Sequence, residues 1–590
     1  TIGIYDLERR LRRFGLSLAD FGVDISCYND NGNFYSNMTT TDGTVDLDAI
    51  RSRAETDVAQ LNDGQKDFIE EVLSATQGTN PRKLFELNGS GGTGKTMALN
   101  TLIRVLMANG KKVIVCASTG MAAQLLVGGR TVHSAFKVSP KQIVPRFSGH
   151  SEQGRWVASA DVIIWDEVTM SHRRLIEGID THCRDVIGNH DEPFGGKVVV
   201  VTGDWKQLLP IVEGAASPVD QLRASFVMST LRPLFRNIEL TQNMRMAPDE
   251  VVYRQYIERV GTGFYVRRGD RNVKRRWVPL PAGFTVKRSA HELMLTLFPD
   301  HILNDAEHRN ELVRRVILAP HNITVDSVNT DILNRLEGES QIYDSVDTPT
   351  TDDIYNVPLM GPETFHNVTP SGFPTHRVTL KVGAMVMLLR NLDVESGLSN
   401  GTRLIVLNML PLGVVCRFAE PRDGAEDVIF ISPLYFKHVD KNGSMFSFVR
   451  RQLPLRLAYA MSINKAQGQT VDELGLFLNT NCFSHGQLYV ALSRVRSVRN
   501  LHIHVPEDAE NPTLRPRMLN IVCSALFPPP PVDQVLPVDC AEDEEQLEDN
   551  EHFEQGSPAD NADNNDAHVP FVDMDDDLMD LEDLPLNAER

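Results

Sequence analysis

The 590 residues contain no CxxC pair, and their seven cysteines (Cys27, Cys116, Cys183, Cys416, Cys482, Cys523 and Cys540) are scattered. That argues against a zinc module or a disulfide framework and suits a reducing compartment. No apolar run approaches the length of a membrane span, and no signal-peptide pattern precedes the folded part, so no membrane association is expected. No repeat of fixed period is evident. The chain starts at Thr1 rather than Met, as a fragment or a processed piece would. Basic excess is missing too, since the net charge is −20. Twenty acidic residues and one basic residue lie between Asp539 and Arg590, so the first 538 residues carry about −1. A near-neutral body can still hold a basic groove, and overall charge neither supports nor excludes a nucleic-acid partner.

What is present reads as a soluble, multi-domain α/β protein. The length exceeds one hydrophobic core and predicts three or four domains. Hydrophobic (41%) and charged (23%) contents are those of ordinary globular chains. Residues 1–60, with a helix-like Asp6–Phe14 and a polar Tyr28–Gly43, read as a weakly structured lead-in. From Leu61, predicted strands (Leu84–Leu87, Lys112–Cys116, Val162–Trp165, Lys197–Val201) alternate with helical stretches such as Thr96–Met107. Such alternation implies βαβ units and a parallel sheet. A second α/β pattern starts with strand Val316–Ala319 and helix Ile323–Leu336. Residues 364–440 interrupt it with a β-branched, Gly-rich and turn-rich stretch (Arg377–Leu380, Ala384–Leu389, Arg403–Leu407, Val414–Phe418), read as a small β-barrel-like insertion. The α/β pattern resumes over Leu453–Val505. After Phe527-Pro-Pro-Pro-Pro-Val532 the chain turns acidic and Asn-rich, and disorder is expected.

Gly89-Ser-Gly-Gly-Thr-Gly94-Lys95-Thr96 fits G-x-x-x-x-G-K-[ST] between a predicted strand and a predicted helix. Gly89, Gly91, Gly92 and Gly94 let backbone N–H groups close around phosphate oxygens at a helix N-terminus. Lys95 would reach the β/γ-phosphates of ATP and the Thr96 hydroxyl would ligate Mg²⁺. The apolar strand Val162–Trp165 ends in Asp166-Glu167. Beside a P-loop, these supply one carboxylate for the Mg²⁺ shell and one to polarise an attacking water. Alone, the same pair would more often be a solvated turn. Gln207, in Gly203-Asp-Trp-Lys-Gln-Leu-Leu-Pro210, is of the type that hydrogen-bonds a γ-phosphate, although in isolation a polar loop is the plainer reading.

The ordered set of segments resembles the Pif-one family of superfamily 1B DNA helicases, in the form found in Helitron-type transposable elements, over roughly Leu61 to Val505. Leu61-Asn-Asp-Gly-Gln65 is similar to the family's adenine-contacting Q motif. Ala117–Ala123 and Gly128–Phe136 resemble its Ia and Ib/Ic segments, and Pro193-Phe-Gly-Gly196 falls in its signature region. Leu240–Arg245 resembles motif IV, Leu388–Asp393 and Gly397–Arg403 the inserted 2B domain, Ser462–Thr470 motif V, and Gln487–Arg494 motif VI. Trp165 and Trp205 depart from the smaller or phenyl side chains of many relatives and read as branch-specific packing.

The resemblance implies an α/β fold of two RecA-like P-loop lobes with parallel sheets, a small SH3-like β insertion (2B) and a disordered acidic C-terminal tail. Its divisions are a lead-in (1–60), lobe 1A with a 1B insertion (61–245), the first part of lobe 2A (246–363), 2B (364–440), the rest of 2A (441–526) and the tail (527–590). It implies an ATP- and Mg²⁺-dependent 5′→3′ DNA helicase, monomeric, acting on single-stranded DNA and duplex junctions. Arg245 and Arg494 would be arginine fingers, and Gly468 would lie near the nucleotide. Ser118, Thr119, His133, Phe136, Asn322 and Thr470 would face DNA; for His133 and Phe136, core packing is nearly as good a reading. The basic runs Arg267–Arg268 and Lys274–Arg276 either track the DNA backbone or are solvated. Three other readings stay open: the helicase portion of a Helitron transposition protein, a P-loop ATPase remodelling non-DNA substrates, and an inactive interaction module. Nuclear residence goes with the helicase function, without an import signal in the sequence. The tail is either a solubilising end or, around Val569–Leu586, a partner-binding or DNA-mimicking segment.

Overall fold

The computed structural model describes residues 47–138, 147–212, 218–263, 274–350, 363–420, 428–438, 447–505 and 516–527, with short breaks inside these ranges. Asp6–Phe14, Tyr28–Gly43, Arg267–Arg268 and the acidic tail lie outside the described residues. Of Lys274–Arg276 only the backbone is described.

The end of the expected lead-in is a helix, α1 (Leu47–Ala59), which buries Ile50, Ala54 and Asp57. Those positions recur at spacings of four and three, one face of a helix. The polar composition around them hid this stripe, and residues 47–59 are corrected from lead-in to packed helix. A second helix, α2 (Asp63–Thr76), starts at a capping box in which Asn62 and Gln65 exchange side chain-to-backbone bonds. Asp57 then pairs with Arg104 at 2.6 Å on helix α3 (Lys95–Ala108).

The first lobe is built on six strands: β1 (Leu84–Gly89), β2 (Val113–Ala117), β3 (Arg130–Thr131), β4 (Val162–Asp166), β5 (Val198–Gly203) and β6 (Arg236–Leu240). All pair in parallel, in the order β3-β2-β4-β5-β1-β6. Core clusters cover both faces, which is why β4 and β5 read as unbroken apolar runs. Parallel pairing also brings the carboxyl ends of β1, β4 and β5, at Gly89, Asp166 and Gly203, to one edge. In open α/β sheets that edge is where ligands bind. A short helix, α4 (Gly120–Leu125), follows β2.

After helix α5 (Val251–Thr262) come β7 (Lys274–Pro279), β8 (Thr285–Val286), β9 (Arg315–Ala319) and helix α6 (Asn322–Arg335). Ten strands then intervene before the second lobe is completed. They are β10 (Ser340–Asp344), β11 (Val346–Pro349), β12 (Arg377–Lys381), β13 (Met385–Leu388), β14 (Arg403–Leu410), β15 (Gly413–Phe418), β16 (Val428–Ile431), β17 (Leu434–His438), β18 (Phe448–Gln452) and β19 (Leu455–Leu457). All their pairings are antiparallel, in sheets ordered β16-β15-β14-β13-β19, β11-β18-β17 and β10-β12. The insertion therefore extends on both sides of 364–440. Its outer strands, such as Ser340–Asp344 and Phe448–Gln452, mix polar and charged residues with few apolar ones and give a weaker strand signal than the middle.

Past the insertion the chain adds β20 (Ala460–Ser462), β21 (Glu473–Phe477), helix α7 (Gln487–Leu492), β22 (Leu501–His504) and β23 (Arg517–Val522). The second parallel sheet runs β20-β9-β21-β22-β8, and β23 pairs with β7 as a separate antiparallel ribbon. One apolar cluster runs from this sheet into β13, β14 and β15, so the insertion shares the second lobe's core. It also touches the first lobe, where Gln124 on α4 donates to the Gly397 carbonyl at 2.9 Å.

Inside the insertion, Arg450 is fully buried and bidentate to Asp347, at 2.9 and 2.7 Å, and it also donates to the Phe365 and Pro374 carbonyls. Removing one partner of such a pair strands a charge in a poor dielectric, at a cost of about 3–5 kcal/mol. Arg450→Ala is expected to lower unfolding stability by that much in urea titration. The exposed Asp344–Arg377 pair, removed as Arg377→Ala, should leave the midpoint near wild type.

Candidate active site between the lobes

The P-loop leaves β1 at Gly89 and enters α3 at Lys95. Gly92 (φ +94°) and Gly94 (φ +79°) hold left-handed backbone that L side chains rarely adopt. At Gly92 space is limiting as well, because an added Cβ would fall 2.6 Å from Arg245 Cβ. Lys95 Nζ turns back onto the carbonyls of Gly89 and Ser90, and Thr96 is half-buried beside it. Gln65 is almost fully buried. Its Nε2 donates to the Thr93 carbonyl at 3.2 Å while its Oε1 accepts from Asn62 N at 3.1 Å. As placed, Gln65 braces the P-loop from below and does not stand open to a base.

Asp166 and Glu167 are both buried at the end of β4. Asp166 Oδ1 accepts from Thr202 Oγ1 and from the Glu167 amide, which leaves Oδ2 for a cation. Glu167 is held in left-handed backbone (φ +54°), and its Oε2 accepts from Gln467 Nε2 at 3.0 Å. Burial and then the neighbouring Asp166 push the Glu167 carboxyl up to about 7, and burial also raises Asp166. A carboxyl so poised suits proton transfer near neutrality. Gln207 is buried with Nε2 on Asp204 Oδ2 at 3.0 Å, and its Oε1 has no partner among the described residues.

The second lobe closes over this edge. Arg494 is 1% exposed and donates to Val490 O, Gln469 O and Ser493 Oγ, at 2.8, 3.1 and 2.6 Å. Arg245 donates to Ser493 O at 2.9 Å. Among the described residues neither has a carboxylate within ion-pair distance. A Cβ built on Gly91 would lie 3.5 Å from Arg494 Nη2 and 3.7 Å from Arg245 Nη1, so both guanidinium groups stand over the P-loop. Burial, then Arg494, pulls Arg245 down to about 10, which still leaves a cation at neutral pH. Gly468 (φ +80°) lies in the loop beside Gln467.

Several neighbours escaped the sequence reading. Tyr489 accepts from the Gly91 amide at 3.1 Å and donates to Asp204 at 2.8 Å. Asn243 donates to Gly91 O at 3.1 Å, and Glu258 on α5 accepts from Ser90 Oγ and from Lys206. Tyr489, Asp204 and Gln467 all lie inside the quoted motif segments. Their signal was a polar side chain within an otherwise apolar or loop stretch, passed over in favour of the charged residues.

The candidate DNA-facing residues divide. Phe136 is fully buried in the first lobe's core, so its ring is withdrawn from the list of base-stacking groups. Ser118 Oγ is taken up by Glu167 O, Trp165 Nε1 and Ser171 Oγ, at 2.6, 3.1 and 2.7 Å, which also accounts for the indole at Trp165. Thr119 caps α4 by accepting from Ala122 N at 3.2 Å. His133 is half-buried, and burial lowers its pKa. Asn322 and Thr470 are exposed. Next to Asn322, His321 stacks on half-exposed Phe483 at 4.7 Å, and Ile323 is 86% exposed.

Residues 60–263 match the family model described as PIF1-like helicase, and residues 364–409 match that of the DNA helicase Pif1 2B domain. Over these segments the chain is similar to the PIF1-like helicase family. Relatives in that family include the ATP-dependent DNA helicase PIF1 of Xenopus laevis, 29% identical over 75% of this chain and 61% of the relative. That of Homo sapiens is 28% identical over 75% and 60%. The chain thus spans about three-fifths of the length of these curated relatives. Among solved structures, Bacteroides Pif1 bound to ssDNA superposes with a TM-score of 0.52 at 24% identity, covering 76% of this chain and 95% of that one. Pif1 helicase from Candida albicans gives 0.52 at 23%, over 75% and 94%. These likenesses establish the fold: two RecA-like lobes with a 2B insertion.

The lobes are also joined through His485, fully buried just before α7. Cys523 N donates to its Nδ1 at 2.9 Å, so the proton sits on Nε2, which donates to Trp205 O at 3.0 Å. Burial holds this imidazole down to about 4, against about 6.5 in an unfolded chain. A depressed folded-state pKa contributes stability that is complete above about 6.5 and is lost as pH falls towards about 4. The urea midpoint should therefore drop across that window. In His485→Gln the drop should be smaller; an equal drop would remove His485 as its source.

Proposed function

We propose that this chain is an ATP-driven DNA helicase that translocates 5′→3′ on single-stranded DNA and parts duplex junctions. The observation that carries the reading is the pair of guanidinium groups, Arg245 and Arg494, with no carboxylate partner among the described residues and set over a P-loop. A buried cation left unpaired is costly unless an anion arrives, and the P-loop is a ready-made anion cradle. In this reading Lys95 and the P-loop amides hold the ATP phosphates, Glu167 takes the proton of the attacking water, and Gln207 reports the γ-phosphate. Arg245 and Arg494 neutralise charge developing on the transferred phosphoryl group, in a cleft whose low dielectric strengthens them.

The oxygen donors of Thr96 and of Asp166, with Oδ2 spare, fit Mg²⁺, which when bound would neutralise charge on the phosphates. ATP binding draws the lobes together and hydrolysis releases them, so a strand lying across Asn322 and Thr470 is ratcheted forward. The exposed His321–Phe483 stack supplies an aromatic surface of the kind that receives bases. Lobe 2A spans the segments on either side of the 2B insertion, and 2B helps part the duplex. Nuclear genome maintenance is the setting proposed first, with the helicase portion of a Helitron transposition protein as the alternative.

The test is unwinding of duplexes carrying a 5′ or a 3′ single-stranded tail. Wild type should open the 5′-tailed substrate alone, and Lys95→Ala should abolish both unwinding and DNA-stimulated ATP hydrolysis. Opening from the 3′ tail, or activity that survives Lys95→Ala, would contradict the proposal.

A further inference from the structure

Gly91 belongs to the loop whose amides serve phosphate oxygens, yet its N–H is already given to the Tyr489 hydroxyl at 3.1 Å. That hydroxyl has one proton of its own, spent on Asp204 Oδ2 at 2.8 Å. The same Asp204 oxygen accepts from Gln207 Nε2 at 3.0 Å. The chain of bonds thus runs from the P-loop amide through a phenol on the second lobe to the carboxylate that holds Gln207. We propose that Tyr489 is a positioning residue of the ATP cycle: its hydroxyl holds the Gly91 amide between cycles and yields it to a phosphate oxygen. This rests on the reading that the P-loop binds ATP.

An amide N–H has a single hydrogen, so a phosphate and the phenol compete for it. The phenol cannot turn aside to avoid the competition. Tyr489 is 1% exposed, and α5 crosses it so closely that a Cβ on Gly261 would fall 2.6 Å from its Cδ2. On the same α5, Tyr253 OH donates to Leu492 O at 2.7 Å, which fixes α7 against that helix. Burial keeps the phenol well above its usual pKa, so it remains a donor to Asp204 at working pH. Because Tyr489 lies on α7 and Arg494 directly follows that helix, displacement of the hydroxyl moves the element that carries the guanidinium. Arrival of a phosphate at Gly91 is thereby communicated both to Gln207, through Asp204, and to Arg494, through α7.

The experiment measures ADP affinity by titration, together with kcat and KM of DNA-stimulated ATP hydrolysis, in wild type and Tyr489→Phe. The phenylalanine keeps the ring and removes the competitor. ADP should bind about two- to tenfold tighter, the range of one neutral hydrogen bond, and KM for ATP should fall with kcat. A ring that merely packs would leave affinity unchanged or weaken it. Thermal melting of Tyr489→Phe beside wild type guards against misfolding as the source of any change. Unchanged or weaker ADP binding in Tyr489→Phe, with wild-type melting, overturns the proposal and leaves the ATP reading standing. Failure of wild type to bind ADP overturns both.

Discussion

A guanidinium taken out of water without a carboxylate beside it costs several kcal/mol, and Arg494 is in that position. Its donors are spent on the Val490 and Gln469 carbonyls and on Ser493, partial charges that orient a cation without neutralising it. Around this one constraint the rest of the cleft falls into place. Arg245 is held on the Ser493 carbonyl beside it, and Gly91, without a side chain, lets both approach the P-loop. The compensating negative charge is built into the opposite wall as Asp166, Glu167 and Asp204, each buried. Burial opposes the charged form of the Arg494 guanidinium, and Glu167 and Asp204 act on it across the cleft to favour that form.

Two parallel sheets make that geometry possible. In the first lobe the loops that matter leave the carboxyl ends of the strands, so the P-loop, the Asp166-Glu167 turn and the Gln207 loop share one edge. The second lobe's edge brings Gln467 and Arg494. Neither half holds a complete site. The Glu167–Gln467 and Tyr489–Asp204 bonds join the two halves across it. The β-rich insertion is cored with the second lobe and touches the first through Gln124, so motion of one lobe on the other carries the insertion with it.

Much of this was legible in residue order. The strands read from sequence, β1, β2, β4, β5 and β9, fall within two residues of their predicted bounds, because a strand buried on both faces is a short apolar run bounded by turn residues, whereas β3, β6, β8, β20, β21 and β22 were not delimited. The P-loop, Asp166 and Glu167 announce themselves by spacing. What sequence could not reveal is which polar side chains meet across several hundred residues. Tyr489 in a run of apolar neighbours reads as core, and its hydroxyl becomes informative only once Gly91 is seen beneath it. Phe136 shows the converse: next to a functional segment, it packs inward. Helix α1 escaped because its buried stripe of Ile50, Ala54 and Asp57 includes a carboxylate that is buried only by virtue of Arg104 on another helix. The insertion's outer strands were missed for a similar reason, since Arg450 looks like a surface residue until Asp347 is placed against it.

The proposed role of the second lobe is to complete the site with charge needed at phosphoryl transfer rather than at binding. The most direct measurement is trapping of ADP with aluminium fluoride, a mimic of the transferring phosphoryl group, in wild type and Arg494→Ala, alongside binding of ADP alone. Arg494→Ala should bind ADP nearly as wild type does and fail to retain the ADP–fluoroaluminate complex. Equal retention of that complex by the variant would contradict it.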